Sequence, residues 1–99
     1  MNEIIKQVEV LSKEEPKTLI QRYLKLGEEV GELAQEIGIR DNVSGFSYKE
    51  VGKDGIKGEC ADVIITTLAI FFFSDGTIEE LKELIVKKNI KWQSKMVKK

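Results

Sequence analysis

The eleven residues from Val63 to Phe73 carry no polar side chain apart from Thr66 and Thr67, and this run constrains the fold more than any other part of the chain. Eleven residues are too few to cross a bilayer, which takes ~20 as a helix. The run therefore reads as the greater part of a core helix, predicted over residues 56–73. A helix apolar on every side has to be covered on every side. Three other short helices are too few to do that in a chain of 99 residues, so a second subunit is expected to cover the remainder.

The rest of the chain reads as helices around that core. Ile4, Ile5, Val8 and Leu11 share one side of a first helix over residues 2–11. Ser12 to Pro16 breaks it, and Pro16, tolerated only in a first turn, is expected to open the second helix. There Leu19, Tyr23, Leu26, Val30, Leu33 and Ile37 alternate steps of four and three, the stripe of a helix packed nearly antiparallel in a bundle. Gly27 and Gly31 suggest a close backbone approach on the opposite flank. Gly38 is the expected stop, and residues 39–54 form a polar loop. Thr77-Ile78-Glu79-Glu80 has the spacing of a capping box that starts a fourth helix. The fold class is all-α and four-helix bundle-like, with residues 1–99 as one domain assembled as a dimer or tetramer.

Two pairs of acids stand out on these helices. Glu28-Glu29-Val30-Gly31-Glu32 lies in the second, and Glu59-Cys60-Ala61-Asp62 leads into the apolar run. Residues three or four apart share a helix face, so each helix offers a two-pronged claw of carboxylates. One such claw alone reads more readily as a solvated charged face. The second sits where a helix must be buried, and an unpaired acid there is hard to sustain. A hard divalent cation relieves the mutual repulsion of such carboxylates. Mg²⁺ and Mn²⁺ take oxygen ligands and keep room for water or phosphate, which points to phosphate chemistry.

Composition narrows the alternatives. Histidine is absent, which excludes Ser-His-Asp and Cys-His machinery and the Glu-x-x-His pairs of di-iron bundles. A formal net charge of -1 argues against a general nucleic-acid binder. Cys60, the one cysteine, allows no intrachain disulfide and reads as a small packing residue; with no basic stretch leading an apolar run near Met1, a cytoplasmic location is expected. Late in the fourth helix Lys87, Lys88, Lys91 and Lys95, with Asn89 and Trp92, place cations, an amide and an indole within reach of a phosphate and a base, although alone this tail reads more readily as a solvated lysine face with Trp92 tucked into the core. Arg40, Phe46, Tyr48, Lys49 and Lys53 offer similar groups in the loop.

The order E-E-x-x-E then E-x-x-D, with Asn89-Ile90-Lys91-Trp92-Gln93-Ser94-Lys95 near the end, resembles the signature of the MazG-like nucleotide pyrophosphohydrolases, over about Leu19 to Lys95. The resemblance implies Mg²⁺-dependent cleavage of a nucleoside triphosphate between its α and β phosphates. It implies Glu29, Glu32, Glu59 and Asp62 as metal ligands, with Glu28 as ligand to a further metal or as base for the attacking water. For the triphosphate it implies Lys88, Asn89, Lys91 and Lys95; the residue that stacks on the base stays open among Trp92, Tyr48 and Phe46. The competing expectation is a helical oligomerisation or adaptor module, or a nucleotide sensor without turnover. Neither expectation involves nucleic acid or membrane as partner.

Overall fold

The computed structural model describes residues 1–43, 45 and 55–97, and within these the chain is all-helical: α1 (Asn2–Glu14), α2 (Leu19–Arg40), α3 (Gly55–Phe73) and α4 (Ile78–Val97). The helix ends follow from local chemistry. Glu15, which precedes Pro16, is extended (φ -72°, ψ 123°), as a residue before proline prefers, so Pro16 closes α1 and does not open α2. Thr18 opens α2 with a full capping box: its Oγ1 accepts from the Gln21 N–H at 3.2 Å, and Gln21 Oε1 accepts from the Thr18 N–H at 2.8 Å. Gly38 does not stop α2. The helix runs on to Arg40, and Asn42, at φ 54°, makes the left-handed turn that lets the Val43 N–H close back on the Gly38 carbonyl at 2.9 Å.

The predicted box at Thr77 is present, with Glu80 and Thr77 exchanging side-chain and backbone bonds at 3.0 and 3.1 Å. Before it, Asp75 at φ 66° ends α3, and the Gly76 N–H reaches the Phe71 carbonyl at 3.0 Å. A β-carbon at Gly76 would overlap the Phe71 ring, so the turn requires glycine there.

Helix α3 is the centre, with α2 packed along it and α1 against it; α4 makes no comparable packing with any of the three. Leu84, Ile85, Val86, Ile90, Trp92 and Met96 of α4 are accordingly exposed. The radius of gyration is 16.3 Å, against about 13 Å for a compact domain of this length. Among the described residues Phe72 is the one fully buried large hydrophobic side chain. Ile64, Ile65 and Phe73 of the apolar helix remain exposed within one chain. No helix among the described residues is long and apolar enough to cross a membrane.

The face that α2 buries differs from the expected stripe. Arg22, Glu29 and Glu36, seven residues apart, are buried, with Leu26 and Leu33 half-buried between them. Leu19, Tyr23, Val30 and Ile37, the other members of the expected stripe, are exposed, and Leu19, Ile20 and Tyr23 line an open apolar cleft with Ile70. The two stripes share Leu26 and Leu33 and diverge on either side. One seats α2 on its own chain and the other is left open. Gly27 and Gly31 have open space where a side chain would be, so no close approach occurs there within the chain.

Candidate metal centre

The two claws expected from the sequence meet at Glu29. Carboxylate oxygens of Glu28, Glu29 and Glu32 lie within 4.8 Å of one another, and so do those of Glu29, Glu59 and Asp62. Glu29 belongs to both groups and is 5% exposed, whereas Glu28 and Glu32 face solvent and Glu59 and Asp62 are half-buried. It sits in the middle of the buried stripe of α2. The placement follows from its register, seven residues after Arg22 and seven before Glu36.

The site contains more negative charge than its surroundings neutralise. Burial pushes the Glu29 carboxyl above the ordinary carboxylate range; Lys25 pulls it back, and Glu32 and Asp62 push it further up. Burial raises Glu59 as well, followed by the charge of Glu32 beside it. Glu59 Oε2 is buried and accepts no hydrogen bond. A buried carboxylate oxygen without a donor is costly, and a cation among these four acids would satisfy it. This all-oxygen donor set fits a hard divalent ion such as Mg²⁺ or Mn²⁺.

Lys25, absent from the expected site, is the cation that touches it among the described residues. Its Nζ lies 3.3 Å from Glu29 Oε1 and 3.4 Å from Glu28 Oε1, and both contacts, Glu29 first, raise its pKa. The i to i+4 spacing of Lys25 and Glu29 was the available signal. The periodic charges at 22, 29 and 36 were the signal for Arg22 and Glu36. Beyond Asp62, Thr66 Oγ1 donates to the Asp62 carbonyl at 2.6 Å and so turns its hydroxyl back onto the helix.

The expected substrate residues Lys88, Asn89, Lys91, Trp92 and Lys95 are all exposed on α4. Since α4 does not pack along α2 or α3, one chain does not gather them around its own carboxylates. Cys60, placed between Glu59 and Asp62 in sequence, is exposed rather than packed. Arg40 is exposed and pairs with Asp41 at 3.2 Å; Phe46, Tyr48, Lys49 and Lys53 lie outside the described residues. No protein-family model, curated protein or solved structure matches the chain.

Proposed function

We propose that the chain is a Mg²⁺-dependent nucleoside triphosphate pyrophosphohydrolase of the MazG-like kind, cleaving NTP or dNTP to the monophosphate and pyrophosphate. The observation that carries this is the convergence of Glu29, Glu32, Glu59 and Asp62 from two packed helices, with Glu29 common to both groups and Glu59 Oε2 lacking a donor. These four hold Mg²⁺, with Mn²⁺ as a substitute. When bound, the ion supplies positive charge beside the phosphates and lowers the pKa of water. Glu28, exposed at the edge of the cluster, accepts the proton of the attacking water or holds a further ion.

The working unit is a homo-oligomer. One chain exposes 7863 Å², where a compact protein of 11.2 kDa exposes about 5,700 Å². Covering that excess on two copies buries about 4,300 Å², within the roughly 2,000–5,000 Å² of obligate homodimers. The open stripe of α2, the outer side of α3 and the apolar residues of α4 are the surfaces to be covered. In that assembly Lys88, Asn89, Lys91, Trp92 and Lys95 of one copy serve the carboxylates of the other.

Replacing Glu32 or Asp62 by alanine is expected to abolish pyrophosphate release while the helical circular dichroism is retained. Activity equal to wild type in both variants would refute the assignment. The exposed apolar residues of α4 also suit an adaptor, and Mg²⁺ and nucleotide binding without turnover would identify a sensor in place of an enzyme.

A further inference from the structure

One turn from the carboxylates, a second cleft has the opposite character. Lys17, Arg22 and Lys25 line it with Glu15, Thr66, Ile65 and Ala69, around a volume of about 180 Å³. That is smaller than the roughly 300–1,000 Å³ of sites for drug-sized ligands and suits a small anion.

Arg22 is built into its wall. It is 3% exposed, and its Nη2 donates to the carbonyls of Ser12 at 2.9 Å and Glu15 at 2.8 Å, while Nε donates to Lys17 at 3.2 Å. Its guanidinium carbon lies 4.6 Å from the centre of the Phe73 ring. These contacts fix the fork, yet Nη1 is buried with no hydrogen-bond partner. The nearest anion is the half-exposed Glu15 carboxylate, 3.8 Å from Nη1 through one oxygen and 3.4 Å from Lys17 Nζ through the other. That approach is too long for a hydrogen bond. Glu15 thus sits where an anion belongs without completing the site.

The geometry points to a diphosphate-binding subsite: the Lys17, Arg22 and Lys25 cleft takes inorganic pyrophosphate, displacing the Glu15 carboxylate from Arg22 Nη1 and Lys17. A phosphate oxygen accepts from the planar guanidinium and from ammonium groups more strongly than a distant carboxylate does. Within the activity proposed above, on which this extension rests, the occupant is the leaving diphosphate of the triphosphate. Lys25 joins the two sites, since it lines the cleft and touches Glu28 and Glu29. A divalent ion on Glu29 releases Lys25 toward the phosphate, so metal and diphosphate bind cooperatively.

Calorimetric titration of the whole protein with inorganic pyrophosphate, first in EDTA and then with Mg²⁺, tests the subsite. Wild type is expected to bind in EDTA, Lys17→Ala to bind about tenfold more weakly, and Glu15→Gln to bind more tightly because the competing charge is gone. Lys17 and Glu15 are half-exposed, so neither change threatens folding. Direct Mg²⁺ titration of Lys17→Ala, expected to match wild type, separates the two claims. Pyrophosphate binding with no Mg²⁺ binding would uphold the cleft and sink the metal centre. Mg²⁺ binding with no pyrophosphate binding in EDTA, or with affinity unchanged in both variants, would overturn the cleft alone.

Discussion

Arg22→Met should be the most damaging single change in the helical scaffold, because one side chain ties the end of α1 to α2 and α3. Its guanidinium donates three hydrogen bonds to the carbonyls of Ser12, Glu15 and Lys17 and stacks on Phe73. A hydrogen bond to a charged group contributes about 1.5–3 kcal/mol, and a desolvated cation–π contact about 1–2 kcal/mol. The gross loss is therefore about 6–11 kcal/mol. Methionine fills the same space and no longer has to bury a charge, which recovers several kcal/mol. A net destabilisation of about 3–4 kcal/mol remains, large for a domain of this size. Urea unfolding followed by circular dichroism, at one fixed protein concentration so that association does not confuse the comparison, measures it. Arg22→Lys should recover only part, since an ammonium cannot span carbonyls on both sides of the helix junction. A loss below about 1 kcal/mol in Arg22→Met would refute the view that the guanidinium holds α1 in place.

Mg²⁺ at a hundredfold excess over its dissociation constant should stabilise wild type by about 2.7 kcal/mol, a rise of about 10–20 °C in melting midpoint, and should not stabilise Asp62→Ala. In EDTA the raised carboxyls of Glu29 and Glu59 give a definite pH sign. Below the ordinary carboxylate pKa both folded and unfolded states are protonated. As pH rises toward the raised folded values, the unfolded state ionises first and stability is lost. Wild type should therefore lose stability relative to Glu59→Gln across this window, a difference that melting curves at stepped pH will show, and a constant difference would contradict it. Sedimentation analysis should show a dimer or larger oligomer, and the emission of Trp92, the one tryptophan, should shift to the blue as concentration rises and its exposed ring is covered.

Much of this architecture could be read from the chain because it depends on local rules. The capping box at Thr77 and the apolar run of α3 from Val63 to Phe73 are set by neighbouring residues. The acidic pairs could be read for the same reason: helical spacing alone places Glu29 near Glu32 and Glu59 near Asp62. What failed was the choice between two overlapping stripes on α2. Leu19, Tyr23, Val30 and Ile37 are the more apolar set, and a hydrophobic count selects them for the core. The chain instead buries Arg22, Glu29 and Glu36, because Arg22 bonds to three carbonyls and Glu29 faces Lys25. The Arg22 bonds depend on where the end of α1 comes to lie, and the Glu29–Lys25 pair is a local charge spacing; neither leaves a mark in hydropathy. Pro16 lies before α2 for a simpler reason: its effect on the preceding Glu15 outweighs its suitability for a first turn. Gly38 did not end α2 because Asn42 supplies the left-handed residue four positions later.

The central claim is cleavage at the α–β phosphoanhydride by a centre built on Glu29, Glu32, Glu59 and Asp62, and phosphorus NMR of a panel of ribo- and deoxyribonucleoside triphosphates with the protein and Mg²⁺ tests it most directly. Pyrophosphate and nucleoside monophosphate growing in equal amounts, and absent with Asp62→Ala, is the predicted result; an unchanged triphosphate spectrum across the panel, or orthophosphate and diphosphate in place of pyrophosphate, would contradict it.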